Sequence, residues 1–417
     1  MTGLLRLLAC ATVALAPLEG YLLAAHPQAA KVAPALLTAV WVVRCAYRRR
    51  LPRPHPVHGV LAAFAVVLLA STAVHVGGPY AVGYLQRWLP FLVITVVLVD
   101  VAAREVPVRA LLASAVAGAA VAGLGALHSL VAEGETRATG PLEDPNDLAY
   151  FLVAALPLLI ALVGAPPTRY RREPRGNRRS AWQPRESGSP TRFPWRAVVL
   201  GSVAVVLVAG AAATFSRGGA LALAAAALWL VVRRAVPARA VLVGVVLVVG
   251  VALGVLLFGG PLLDRAVREK AHIAETNVDT RELRWQAAAR MLAEHPVLGV
   301  GPGGFRDGYV AASGNAEADE QSPVAHNMYL EVAAELGVPG WALFTGLLAV
   351  AAVASERVLR AGDRRGAAAV QASLIAVVVA STFLSQQYYL PLWSLVAVVA
   401  AADLRRRGTD ACAPRDQ

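Results

Sequence analysis

Apolar runs of close to twenty residues recur from one end of this chain to the other. "AVVLGSVAVVLVAGAAA" and "AVLVGVVLVVGVALGVLLF" are two of them. A run of about 20 apolar residues crosses the hydrocarbon core as a helix. Only helices and closed barrels satisfy their own backbone there. Hydrophobic residues make up 57% of the 417, against roughly 45–50% in soluble domains. The fold class that follows is an all-α polytopic membrane protein.

Apolar segments lie near 4–25, 31–47, 57–76, 84–101, 108–131, 147–164, 196–213, 218–236, 239–258, 327–353, 367–384 and 388–403. That predicts about twelve transmembrane helices. With the N-terminus in the cytoplasm, the loops holding Arg48–Arg53, Arg104–Arg109, Arg233–Arg239, Arg357–Arg365 and Arg405–Arg407 all fall inside. So does the Pro-, Gly-, Ser- and Arg-rich loop 165–195, which reads as a flexible linker. This is the positive-inside pattern, and shifting the count by one helix breaks it. The organisation expected is helices 1–9 within 1–258, one large extracytoplasmic loop with short helices at 259–325, helices 10–12 within 326–404, and a cytoplasmic tail at 405–417.

The net charge of +12 has the same origin as the loop pattern, so it does not point to nucleic acid. Cys10, Cys45 and Cys412 form no disulfide or metal-site pattern. The start, "MTGLLRLLACATVALAPLEGYLLAA", imitates a signal peptide, but Arg6 leaves almost no apolar stretch before Cys10. It reads as an uncleaved first membrane helix.

The polar residues that carry chemistry fall on the outer side. In "NVDTRELRWQAAARMLAEHP", Asp279 and Glu282 form a capping box and Pro296 stops the helix. Arg281 then sits in a first turn that favours anions. "GVGPGGF", Gly299–Phe305, lacks the Lys-Ser/Thr of a phosphate loop and reads as a tight turn that lets backbone approach closely. Arg217, in "TFSRGGALAL", lies on the wrong side for the positive-inside pattern. It either snorkels to headgroups or meets an anion, flanked by Ser216. Asp144 and Asn146 in "LEDPNDLAYF" read equally as capping residues or as binders of acceptor or sugar. In "SPVAHNMYLEVAAELGVPGW", Ser322 and Pro323 look like an N-cap and first helical residue, which puts His326 in the first or second turn. Asn327, Glu331 and Glu335 recur every fourth residue as one polar stripe, costly in lipid unless it faces protein or water. A His at this rim would be neutral and able to accept a proton.

Four pieces in order, "DPNDLAYFL", "FSRGGALAL", "RELRWQAAARMLAEHPVLGVGPGGF" and "AHNMYLEVAAELGVPG", resemble the O-antigen ligase and polymerase family of bacterial envelope proteins. The span layout is similar over the whole chain; the motifs begin near residue 139. The resemblance implies a multi-pass protein of the plasma membrane, embedded among membrane lipids. It implies transfer of a glycan from undecaprenyl pyrophosphate to a glycan, lipid or cell-wall acceptor on the outer face, with neither metal nor cofactor. It assigns essential roles to Arg217, Arg281 and His326, and choosing Arg281 over Arg284 rests on its place four residues before Trp285. On that choice Arg284→Ala is expected to be mild. Asn327, Asn146 and Ser216 are expected to touch substrate. His326 either takes the acceptor's proton or only positions the acceptor.

The alternative is a transporter or flippase of the same lipid-linked glycans. Transporters tend to gather polar groups near the bilayer midplane on broken helices, whereas here they collect on one face. A non-enzymatic polysaccharide-binding scaffold would not need an outer His with two Arg.

Overall fold

The computed structural model describes residues 1–163, 195–237, 239, 280–317, 323–362 and 364–411. Every regular element among them is helical. Among the described residues, eight helices are long and apolar enough to cross a membrane: Thr2–Ala25, Ala29–Arg48, Pro56–Val74, Ala81–Arg104, Val108–Ala132, Pro145–Val163, Trp195–Ala213 and Met328–Arg360. About twelve were expected. The Arg217–Val232 and Arg364–Ala380 helices have 16 and 17 residues. At 1.5 Å per residue they reach about 24–26 Å, short of a hydrocarbon core of about 30 Å. Leu390–Ala411 has 22 residues but carries Asp403 and Arg405–Arg407 in its second half. The expected ninth span, 239–258, and the loop 165–195 lie almost wholly outside the described residues, as do Asp279, Ser322 and Cys412.

The helices pack around a continuous apolar core, with Trp88, Phe344 and Trp393 fully buried at its centre. The arginines that the loop pattern put on one side gather at one end of this bundle. There Arg104 Nε meets Asp100 Oδ1 at 2.7 Å, and Arg44 pairs with Glu105. Arg405 donates to the carbonyls of Ala102 and Val106 at 2.6 and 2.7 Å. The buried Asp403 faces Arg407 at 2.7 Å and His55 at 3.4 Å. These pairings close the basic end against itself.

The opposite end holds the sequence motifs. The described part of the long segment 259–325 folds onto it as a helix over 280–294, a turn, and the Gly304–Ala312 helix. A second, smaller core forms here from Ala287, Ala288, Met291, Phe305, Tyr309 and Ala325, packed on Ala334.

The segment docks through its glycines. Met328–Arg360 is broken at Gly337, where φ is 67° and ψ −173°. A break exposes the carbonyls of the preceding turn, which need donors. Val300 N–H donates to Ala334 O at 2.9 Å and Gly301 N–H to Glu335 O at 3.0 Å, while Val338 N–H donates to Pro296 O at 2.8 Å. A Cβ at Gly299 would stand 2.3 Å from the Glu335 carbonyl carbon, and one at Gly337 2.6 Å from Pro296 O. The glycine-rich turn therefore caps a helix end at close range, and the N–H groups of Val300 and Gly301 are already bonded.

Candidate active site

Three of the helices that begin at the motif end start on a side-chain cap. Asp144 Oδ1 accepts from Asn146 N–H at 2.7 Å and opens Pro145–Ala155. Ser216 Oγ accepts from Gly219 N–H at 3.2 Å and opens Arg217–Val232. Asn327 Oδ1 accepts from Tyr329 and Leu330 N–H, both at 3.1 Å, and opens Met328–Arg360. Free N–H groups and aligned peptide dipoles make such helix starts favourable to anions. Arg217 is the first residue of its helix and is exposed.

The structure corrects the placement of His326. The helix starts at Met328 with Asn327 as its cap, so His326 precedes it instead of lying in its first or second turn. Its φ is 48°, the left-handed region that non-glycine residues seldom enter. Phe215 occupies the same place before the Ser216 cap, with φ 52°. The cause at His326 lies beneath it. The buried Glu331 carboxylate accepts Ala325 N–H at 3.0 Å, Gln387 Nε2 at 2.6 Å and the Ser385 hydroxyl. That anchor draws residue 325 down and turns the chain out of helical geometry.

In the Asn327–Glu331–Glu335 stripe, Glu331 and Glu335 are buried against protein and Asn327 is half-buried. Glu335, 1% exposed, receives the backbone N–H groups of Gly303 and Phe305. The stripe joins the span to the glycine turn and to loop 385–387, with His326 at its upper edge.

Arg281 and Arg284 differ in kind. Arg284 is buried and points at Glu317, Nε to Oε2 at 3.2 Å and Nη2 to Oε1 at 3.1 Å. It also reaches Val324 O at 3.4 Å. Tyr309 adds its hydroxyl to the same carboxylate. Burial, and then the Glu317 carboxylate, push the Tyr309 phenol up to about 12. Burial alone would raise the Glu317 pKa, but the Arg284 and Tyr309 hydrogen bonds and the Arg284 charge bring it below its usual value, with His326 adding to the fall. Glu317 thus lies within electrostatic reach of His326. Arg281 is half-buried. Burial lowers its pKa, Asp144 opposes that, and Arg284 adds to it.

Sequence reasoning missed Arg137. Its Nε donates to Thr214 O at 3.0 Å and its Nη2 to Asn146 Oδ1 at 3.2 Å. Burial lowers its pKa and Asp144 opposes the shift. Asp144 is therefore the shared negative neighbour of Arg137 and Arg281. The one signal available was an arginine in "GETRATG", on the side where arginines are scarce. Asn146 is held from both sides, since its Nδ2 also donates to Asp144 Oδ1 at 2.9 Å.

The structure thus brings Asn146, Ser216, Arg217, Arg281, His326 and Asn327 to one end of the bundle. Residues 202–345, which contain all of these except Asn146, match the family model described as O-antigen ligase. The family resemblance read from the motifs is borne out over that segment. No curated protein matches the chain.

Proposed function

From the O-antigen ligase domain that residues 202–345 carry, we propose that this protein transfers a glycan from undecaprenyl pyrophosphate to an acceptor hydroxyl, at the outer face of the plasma membrane. The observation that supports this most directly is the gathering of two arginine-bearing helix starts, at Arg217 and Arg281, with His326 at the end opposite the basic loops. The positive-inside rule puts that end outside.

The chemistry needs charge stabilisation and a proton acceptor. The acceptor oxygen bonds to the anomeric carbon of the glycan, and the bond from that carbon to the phosphate oxygen breaks with its electron pair. The lipid pyrophosphate leaves as a concentrated anion. Arg217 and Arg281 hold it as charge develops, with fork geometry suited to phosphate oxygens. His326 meets the acceptor hydroxyl and takes its proton. The nearby Glu317 carboxylate offsets the imidazolium that forms. Two guanidiniums supply the positive charge, so the step needs no metal.

Asn327 caps its helix through Oδ1 and keeps its amide N–H groups for substrate, and Ser216 keeps its hydroxyl proton. Asn146, with its Oδ1 held by Arg137 and its Nδ2 donating to Asp144, serves this site as a tether. The same arrangement serves a ligase, which attaches a finished chain, and a polymerase, which joins repeat units. A flippase finds less support, because these groups collect at one end of the bundle and not at its midplane.

The test is direct. Purified full-length protein in detergent, given undecaprenyl-pyrophosphate-linked glycan and acceptor, should release undecaprenyl pyrophosphate as the glycan moves, and EDTA should not stop it. Lipid that is bound or moved across vesicles but never cleaved would contradict the reading.

A further inference from the structure

We infer that Arg137 is a positioning residue for Arg217. This rests on the proposed role of Arg217 as a pyrophosphate ligand. Arg217 follows a short, constrained turn: Thr214, Phe215 with φ 52°, and the cap Ser216. A non-glycine residue held at positive φ persists only where surrounding contacts over-determine it. Arg137 supplies such a contact from 77 residues away, donating from Nε to Thr214 O at 3.0 Å. The adjoining backbone adds a second tie, Ala138 N–H to Ala213 O at 3.0 Å. Thr214 Oγ1 in turn accepts the Ser216 N–H at 3.3 Å.

The other prong of Arg137 reaches the neighbouring helix start. Its Nη2 donates to Asn146 Oδ1 at 3.2 Å, and Asn146 is fixed to Asp144. One guanidinium therefore spans two of the three capped starts. It sets the Arg217 turn against the turn that carries Asp144. A planar fork suits two acceptors held at a fixed separation, and a lysine ammonium does not reproduce it. Arg137 is half-buried and acts through Thr214 and Asn146.

Binding of farnesyl pyrophosphate, a short analogue of the leaving group, tests this in the purified full chain. Arg217→Lys should weaken binding about tenfold, the usual worth of a charge-assisted contact. Arg137→Gln should weaken it similarly. Because Arg137 works through Arg217, the double variant should bind no more weakly than Arg217→Lys alone. A merely structural role would give effects that multiply, or a loss of folded protein. Asn146→Ala, which removes one of the two tethers and leaves Arg137 in place, guards against that second case. It should weaken binding in the wild-type background and have no effect in Arg217→Lys. Wild-type binding by Arg217→Lys would remove the underlying clamp reading. Weak binding by Arg217→Lys, with wild-type binding by Arg137→Gln and Asn146→Ala or with effects that multiply, would overturn the positioning role alone.

Discussion

Arg284 and Glu317 meet as two forks, with Nε to Oε2 at 3.2 Å and Nη2 to Oε1 at 3.1 Å, beside the strand of chain that carries His326. Three residues away on the same helix, the half-buried Arg281 lies within electrostatic reach of Asp144 instead. One arginine is thus built into the fold, and the other is half-buried at the motif end. Arg284→Ala leaves Glu317 half-satisfied in a partly buried place, which costs roughly 2–3 kcal/mol. It should lower the yield and melting temperature of purified protein, whereas the mild outcome expected from sequence concerns activity per folded molecule. Melting temperature, read alongside activity per folded molecule, checks this.

The same pair predicts an acid limit to stability. Glu317 has a folded pKa below its ordinary value of 4.5. Its stabilisation is therefore complete above the unfolded value and is lost as pH falls through the folded one. Melting temperature measured downward from pH 6 should begin to drop near pH 4.5 and continue below it. Glu317→Gln should flatten that part of the curve. Parallel curves for the two proteins would contradict the linkage.

Arg217 and Arg281 should behave as ligands of the leaving group. Arg217→Lys keeps the charge and loses the fork, and Arg281→Ala loses both. Each should reduce glycan transfer by about 10²–10³, as for loss of a transition-state donor. Near-normal transfer by both, in protein that is normally inserted, would remove the anion clamp.

The placement of the two bundle ends is open to labelling. Ala316 and Ala361 are exposed at opposite ends. In intact cells an impermeant thiol reagent should modify Ala316→Cys and spare Ala361→Cys. The reverse pattern would invert the topology.

What the sequence made legible was local. Asp144 before Pro145 and Ser216 before Arg217 announce helix starts through chemistry within three residues, and both serve as caps. The close-approach reading of Gly299–Phe305 needed only glycine's freedom, and the turn does pack against Glu335. What stayed hidden depends on partners far along the chain. Ser322–Pro323 and Asn327 are equally good helix starts in sequence. The choice falls to Asn327 at the described helix because Glu331, bonded to Ser385 and Gln387, holds Ala325. The break at Gly337 has a local signal in Pro339 and Gly340, but its docking partner, residues 296–301, shows itself only in the fold. Arg137 looked like any loop arginine until Thr214 and Asn146 met it.

His326 carries the central claim. It is held at φ 48° before a capped helix start, above a buried carboxylate that fixes its backbone neighbour and within electrostatic reach of Glu317. The decisive measurement is the transfer rate of purified His326→Ala on undecaprenyl-pyrophosphate-linked glycan, alongside its affinity for farnesyl pyrophosphate. The account predicts wild-type affinity with transfer lowered by about 10²–10⁴, the usual worth of an acid–base group. Transfer at the wild-type rate would show that His326 only shapes the rim and that acceptor chemistry lies elsewhere.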